Sequence, residues 1–117
     1  FLRVAALMHG QVANVAGIAR DTGIARTTVH RYFDVLVDTL IGYRLPAWRP
    51  RDKVREQAKP KFYFFDPGVV RSLAGTSDGP LGEMEAGTLL EGYVLHELRA
   101  AIMYRNLGGE LSYWRTQ

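Results

Sequence analysis

The stretch from Asn14 to Leu40, NVAGIARDTGIARTTVHRYFDVLVDTL, decides the fold. Asn14 carries a side-chain oxygen that can cap a helix, and Gly23 can take a positive φ that ends this helix at no steric cost. The apolar residues beyond the glycine recur at the spacing of one helical stripe: Val29, Phe33, Leu36, Val37 and Leu40. The sequence therefore predicts two helices joined by a tight turn, the helix-turn-helix arrangement.

Small and apolar residues predict how these two helices meet. Ala19 lets their backbones approach, and Ile24 is placed to fill the corner between them. Ala25 stands where Ser or Thr would cap the second helix, so this cap is expected to be weak or to come from another residue. The opposite side of the second helix is polar, with positive charge in its first turns and acids further along. Its residues are Thr27, Thr28, His30, Arg31, Asp34 and Asp38.

The segments on either side extend this motif. A short helix from Phe1 to His9 is expected to end at Gly10. The aromatic-rich segments Tyr43 to Trp48 and Lys61 to Asp66 are predicted strands that can pair as a hairpin, and Pro46 favours an edge position for the first. The connection between them, together with Lys61, carries six basic residues against two acidic ones. A hairpin with a basic tip after a helix-turn-helix is typical of a wing.

The remainder of the chain predicts two further helices and a strand. Asp66 and Pro67 can open a helix that runs to about Leu73 and ends at Gly75. A long helix is expected from Gly87 or Thr88 to about Asn106, and a strand follows at Leu111 to Trp114 whose partners are expected to be missing. The face of the long helix that we expect to be buried comprises Leu90, Val94, Leu98, Ala101 and Ile102.

These elements predict an α+β fold in two parts. Residues 1–77 are expected to form a winged helix-turn-helix domain with a three-helix core and a β-hairpin wing. Residues 78–117 are expected to be the truncated start of a second α/β domain. Because the chain starts without Met and stops directly after the predicted strand, we expect it to be a piece of a longer protein.

Composition narrows the class of protein. The 117 residues are 47% apolar, which is typical of a globular chain. Cysteine is absent, which excludes disulfides and thiolate metal sites, and no apolar run approaches the roughly 20 residues that span a bilayer. We therefore expect a soluble, cytoplasmic protein. Residues 1–77 carry 12 Lys and Arg against 6 Asp and Glu, whereas residues 78–117 carry 3 against 6, so the predicted motif lies in the basic part.

Signatures of catalysis are missing from the sequence. His9, His30 and His96 lie on different predicted helices, without the i, i+4 spacing of a helical zinc site. Neither a GxxxxGK[ST] phosphate loop nor a GxSxG nucleophile motif occurs. We therefore expect a non-catalytic chain with no cofactor, no metal and no small-molecule substrate.

Several short motifs together resemble a known family. They are Gly23-Ile24, Thr28-Val29, the strand that leads into Pro67-Gly68, the helix around Glu91 and the closing Tyr113-Trp114-Arg115. This order resembles the C-terminal region of a family of prokaryotic AAA-type ATPases, a region catalogued as a domain of unknown function. The resemblance implies an ATPase module first, then a winged helix, then a small domain like the PD-(D/E)XK nucleases.

The resemblance also implies a role for Glu91, which would correspond to the helix glutamate of the nuclease-like domain. Metal-dependent cleavage of a phosphodiester needs several converging carboxylates, and the acidic motif that would supply them is absent here. We therefore expect Glu91 to be an ordinary exposed or first-turn helix residue.

Binding is the function that the sequence favours. A recognition helix would present Arg26, Thr27, His30 and Arg31 to the bases of duplex DNA, and Thr28 could reach a phosphate. The residues expected to contact the DNA backbone from the wing are Arg49, Arg51, Lys53, Arg55 and Lys59.

Two other functions stay open at this point. One is a protein-interaction or oligomerisation module that docks on its own ATPase domain or on a second copy, with the basic loop against an acidic surface. An aromatic set could line that contact if it is not used in the core, which is the use we favour. The other is a free-standing transcriptional regulator. The aromatic set is Tyr43, Trp48, Phe62 and Phe64.

Overall fold

The computed structural model describes residues 1–49 and 59–115. They form a mixed α+β fold with five helices and a three-stranded antiparallel sheet. No helix in these two ranges is long and apolar enough to cross a membrane. The elements in chain order are α1 (Leu2–Leu7), β1 (Gln11–Val12), α2 (Val15–Thr22), α3 (Arg26–Asp38), β2 (Gly42–Leu45), β3 (Lys61–Phe64), α4 (Pro67–Ala74) and α5 (Glu83–Tyr104).

The predicted pair of helices and the turn between them are confirmed. Asn14 Oδ1 accepts a hydrogen bond from Gly17 N at 3.0 Å and so caps α2. Gly23 takes the expected left-handed conformation, with φ 69°. Ala25 provides no side-chain cap to α3, as its side chain predicts. Half-buried Ile24 packs against the core at the corner between the two helices.

The end of α3 differs from the prediction. The apolar stripe predicted a helix through Leu40, but α3 ends at Asp38 and Leu40 is 81% exposed. Ile41 N donates to Leu36 O at 2.9 Å and Leu40 N donates to Val37 O at 3.0 Å, the two hydrogen bonds of a Schellman cap. Leu40 therefore occupies the position that usually holds glycine, with φ 63°.

The predicted hairpin is confirmed, and a third strand joins it. β3 lies in the centre of the sheet and pairs with β1 on one side and β2 on the other. β2 is an edge strand, as Pro46 predicts, and it ends at Leu45 rather than at Trp48 because proline has no N–H to donate. β1 was not predicted, because two residues are too few to show the alternation of a strand.

The central strand separates two hydrophobic clusters. Phe62 and Phe64 point into the main core, while Tyr63 belongs to a smaller cluster with Leu45 and Leu95. This division follows from the alternation of side chains along a strand. The other buried residues of the main core come from the helices α1 to α5: Ala5, Ala6, Ile18, Val29, Phe33, Leu36, Val70, Ala74 and Leu89.

Helices α4 and α5 continue the packing. Asp66 caps α4 by accepting from Val69 N at 2.9 Å, and Gly75 ends it with φ 78°, both as expected. α5 starts at Glu83, one turn earlier than predicted.

The buried face of α5 was predicted wrongly. Leu90, Val94 and Leu98 are 61%, 46% and 48% exposed, and Ala101 and Ile102 are half-buried. The residues that α5 buries are Leu89, Gly92 and Leu95. Both faces of this helix carry apolar residues, so periodicity alone cannot select the one that packs.

The last described residues return to the edge of the sheet. Tyr113 forms a parallel bridge with Ala47, and Trp48 N donates to Tyr113 O at 2.8 Å. The segment predicted as a strand without partners therefore has a partner inside the chain. The predicted domain boundary between residues 77 and 78 stays a prediction. Helix α5, which follows this boundary, contributes Leu89 to the main core and Leu95 to the smaller cluster.

Candidate functional site

Three of the predicted binding residues line one cleft. Arg26 and His30 lie one turn apart on α3 and face Lys59, which precedes β3. The cleft between them has a volume of about 470 Å³, and its base includes Phe33 and Phe62, whose rings meet edge to face at 4.7 Å. Because both phenylalanines belong to the main core, the basic side chains stand on a rigid base.

The charge of this cleft is positive. Arg44 of β2 lines it as well, and its Nη2 donates to Asp34 Oδ1 at 2.7 Å. Asp34 is the single acidic residue among the described residues that line the cleft. Because Asp34 is paired with Arg44, the positive charges of Arg26 and Lys59 are not balanced by an acidic residue among the described residues of the cleft.

Arg44 was not predicted as a site residue from the sequence. It lies in the middle of β2, directly opposite Phe62 in the register of the sheet. The alternation in Tyr43-Arg44-Leu45 indicates a strand, but it does not show which helix the arginine side chain faces. Its contact with Asp34 depends on the packing of β2 beside α3.

The other predicted residues of α3 lie apart from the cleft. Thr27 and Arg31 are exposed, and neither lines it. Thr28 is half-buried, and its N–H donates to Ala25 O at 2.9 Å. The first turn of α3 therefore points its polar side chains in more than one direction.

The structure describes the residues of the predicted wing only in part. Arg49 is exposed and lines a second groove of about 700 Å³, which also contains Arg44 and Pro60 and so adjoins the cleft. Glu110 contributes a carboxylate to this groove. The predicted contacts at Arg51, Lys53 and Arg55 lie outside the described residues.

Glu91 fixes α5 to the sheet. Lys61 Nζ donates to Glu91 Oε1 at 3.0 Å, and the hydroxyl of Tyr63 donates to the same oxygen. Burial pushes the pKa of Glu91 upward, but the hydrogen bonds from Tyr63 and Lys61 and the positive charge of Lys61 outweigh it and lower the pKa overall. Glu91 is exposed, as expected, and it lies within the helix rather than in its first turn because α5 starts at Glu83.

His9 was predicted to lie on the first helix, but it follows the end of α1 and is buried, 3% exposed. Its Nδ1 accepts from Phe64 N at 3.0 Å, which places the proton of the neutral ring on Nε2. Nε2 has no hydrogen-bond partner among the described residues and lies against Gly92 of α5. Burial lowers the pKa of His9 to about 4, against the opposing effect of the Glu91 charge.

The predicted aromatic set divides between core and surface. Phe62 and Phe64 are buried and Tyr43 is half-buried, whereas Trp48 is 49% exposed. Trp48 packs against Trp114, which is 67% exposed. In the part of the chain that the structure describes, no three His, Asp or Glu residues lie close enough to hold a metal ion.

Comparisons with known proteins place the chain in a family. The family model described as Domain of unknown function (DUF8612) matches residues 1–79. Uncharacterized protein Rv2008c of Mycobacterium tuberculosis and Uncharacterized protein Mb2031c of Mycobacterium bovis are each 38% identical to the chain over 111 residues. The alignment covers 93% of this chain and 24% of each relative, so the chain spans about a quarter of the length of the curated relatives it matches. No solved structure matches the chain. The chain belongs to the family described as Domain of unknown function (DUF8612).

Proposed function

We propose that the chain binds duplex DNA, without catalysis, through the cleft between α3 and the β2–β3 hairpin. The observation that carries the proposal is the position of Arg26, His30 and Lys59 around one cleft with Arg44. Their side chains come from three separate segments of the sequence. Basic groups gathered on one face beside a helix are the electrostatic footprint expected of a DNA-binding surface.

The order of elements supports a winged-helix assignment for this region. A helix and a short strand precede α2 and α3, and two longer strands follow them. The second of these, β3, pairs with both β1 and β2. In that assignment α3 is the recognition helix and the β2–β3 connection is the wing. Placed in this way, α3 and the wing would contact the same duplex.

The proposed contacts divide into two kinds. Arg26 and His30 lie in the first half of α3, the part of a recognition helix that enters the major groove, and both can donate hydrogen bonds to base edges. Lys59 and Arg44 face them across the cleft and would contact phosphates, which positions the duplex without reading its sequence. Ala25 leaves the first turn of α3 without a side-chain cap, so free amide N–H groups of this turn can donate hydrogen bonds to a phosphate oxygen.

The proposal is tested by fluorescence anisotropy with a labelled DNA duplex. We expect binding that weakens steeply between about 50 and 200 mM salt, because phosphate contacts release counterions. The double variant Arg26→Ala, Lys59→Ala should bind more weakly at every salt concentration. The double variant Arg3→Ala, Arg105→Ala removes the same charge from exposed positions outside the cleft and serves as the control. Absence of binding at the lowest salt concentration would exclude the proposal.

The proposed setting is a larger ATPase that carries this region at its C-terminal side, ahead of a nuclease-like domain. The support for this setting is the resemblance of the motifs around Gly23, Pro67 and Glu91, and the greater length of the relatives. The alternative is a free-standing transcriptional regulator that uses the same cleft. The complete reading frame separates them: a phosphate loop upstream supports the ATPase setting, and its absence supports the regulator.

A second candidate function is docking on another protein, either the ATPase domain or a second copy. The observation that favours it is the exposed apolar stripe of Leu90, Val94 and Leu98 on α5. Light scattering tests it. Concentration-dependent association that Val94→Glu abolishes, and that Arg26→Ala, Lys59→Ala leaves intact, would support docking. A chain that stays monomeric at all concentrations would exclude docking on a second copy. Docking on the ATPase domain would then be tested by adding that domain and measuring binding.

A further inference from the structure

The two tryptophans of the chain form an exposed pair. The sequence contains Trp48 and Trp114 only, and their ring centroids lie 4.6 Å apart at an angle of 40°. They keep 49% and 67% of their surfaces exposed. Single exposed apolar side chains are ordinary, but two indole rings that pack on each other in solvent form a large apolar surface suited to stacking.

Backbone hydrogen bonds hold this pair in place. Trp48 N donates to Tyr113 O at 2.8 Å, and Tyr113 N donates to Pro46 O at 2.9 Å. The hydroxyl of Tyr113 donates to Lys59 O at 2.7 Å, which connects the same segment to the base of β3. Because the backbone is hydrogen-bonded at Trp48 and at Tyr113, which adjoins Trp114, binding a ligand that stacks there would cost little conformational entropy at these residues.

The surroundings of the pair are basic and adjoin the proposed DNA-binding cleft. Trp48 lines the groove of about 700 Å³ that contains Arg44 and Arg49. This groove shares Arg44 and Pro60 with the cleft, so the two form a continuous surface. Arginines beside an aromatic face can hold phosphates while a base stacks on the ring. Glu110 is the one carboxylate among the described residues that line the groove.

We propose that the Trp48–Trp114 pair stacks an unpaired nucleobase, so that the substrate class of this surface is duplex DNA that continues into a single strand. The inference rests on the proposed function, because the duplex part occupies the cleft lined by Arg26 and Lys59. Every base has a π-face, so the stacking requires no particular sequence. A proline-rich peptide also packs on aromatic rings, but it has no phosphates that Arg44 and Arg49 could bind. The two arginines therefore favour a nucleic acid as the ligand.

The tryptophan pair provides its own probe. Because Trp48 and Trp114 are the only tryptophans, intrinsic tryptophan fluorescence of the 117-residue chain reports on this pair alone. The chain is titrated with a blunt DNA duplex and with the same duplex carrying a single-stranded oligo(dT) overhang, at 3′ or 5′ ends. Anisotropy of a label on the duplex measures affinity in parallel. We expect an overhang of one polarity to quench the fluorescence and to tighten binding about tenfold over the blunt duplex.

Variants separate stacking from folding. The ratio of the two affinities, overhang over blunt, should fall to about one in Trp48→Leu and in Trp114→Leu, while Trp48→Tyr should keep most of it because a phenol ring still stacks. Circular dichroism and the thermal midpoint of each variant show whether it is folded. If Trp48→Leu fails to fold, Trp48→Tyr and the quenching of the unaltered chain still decide the question.

The outcomes distinguish the two proposals. A blunt duplex that binds while the overhang adds neither quenching nor affinity overturns the stacking site and leaves the proposed function intact. Quenching by free oligo(dT) without any duplex binding retains the stacking site and removes the duplex-binding function. If neither duplex nor oligo(dT) binds, both fail. Quenching by a proline-rich peptide but not by oligo(dT) overturns the inference in favour of a protein partner.

Discussion

Replacing Gly92 with alanine tests how α5 packs on the rest of the fold. A Cβ at this position would lie 2.5 Å from His9 Nε2 and 3.0 Å from His9 Cε1. His9 cannot move away easily, because it is buried and its Nδ1 accepts from Phe64 N. Either the imidazole or α5 must therefore shift to admit the methyl group.

The magnitude follows from a matched control in the same helix. Gly87 also lies on α5, is exposed, and has no neighbour within 4 Å of a Cβ. Both substitutions gain the helix propensity of alanine over glycine, about 1 kcal/mol. Gly87→Ala should therefore stabilise the chain by about this amount, and the overpacking at Gly92→Ala adds a cost of about 1–3 kcal/mol. The difference between the two variants isolates that cost because the propensity contributions cancel.

Urea unfolding followed by circular dichroism measures both variants. The midpoint of Gly87→Ala should rise, and that of Gly92→Ala should lie below it by the equivalent of about 1–3 kcal/mol, with equal slopes. Equal stabilisation by both substitutions would refute the reasoning, because it would mean that α5 does not contact His9 in solution.

Three further predictions concern His9, Leu40 and Asp34. Burial lowers the pKa of His9 from 6.5 to about 4. Between these two pH values His9 is protonated in the unfolded chain and neutral in the folded chain. The free energy of unfolding should fall by roughly 3 kcal/mol as the pH drops through that window, and urea unfolding of His9→Gln should lack this part of the loss. Leu40→Gly should stabilise the chain by about 1 kcal/mol, because glycine accepts the left-handed position and the leucine is exposed; a lower thermal midpoint would contradict this. Asp34→Asn should tighten duplex binding roughly two- to fivefold in anisotropy, whereas Asp38→Asn, which lies outside the cleft, should not.

Local signals predicted much of the helical part of the fold. Asn14 and Asp66 each carry a capping oxygen, and Gly23 and Gly75 each sit where a helix must turn, so these boundaries depend on residues close in sequence. The hairpin was predicted from an equally local signal, since the aromatic-rich run from Lys61 to Phe64 marks β3.

Contacts between segments that are distant in the chain could not be predicted from the sequence. β1 exists because Gln11 and Val12 pair with β3, about fifty residues later in the chain, and two residues carry no pattern of their own. α5 has apolar residues on both faces, and the choice of Gly92 over Val94 for the packed face depends on His9, which needs the space that glycine leaves. The end of α3 was predicted too late because leucine rarely takes a positive φ, so Leu40 gave no sign that the helix ends before it.

The candidate site was predictable to a similar degree. Arg26 and His30 share a face of α3 because they are four residues apart, so their proximity follows from helical spacing. Lys59 and Arg44 join them only through the pairing of β2 with β3 and the packing of that hairpin beside α3. The contacts of Glu91 had one available signal: Lys61 and Tyr63 alternate on β3 and so face the same side of the sheet.

The salt dependence of duplex binding tests the central proposal most directly. Each phosphate contact contributes about 0.9 to the slope of log K against log salt. If Lys59 holds a phosphate while Arg26 contacts base edges, the double variant Arg26→Ala, Lys59→Ala should have a slope shallower by about 1, and the charge-matched variant Arg3→Ala, Arg105→Ala should keep the slope of the unaltered chain. Equal slopes in all three proteins, or no binding to a duplex at low salt, would contradict the account.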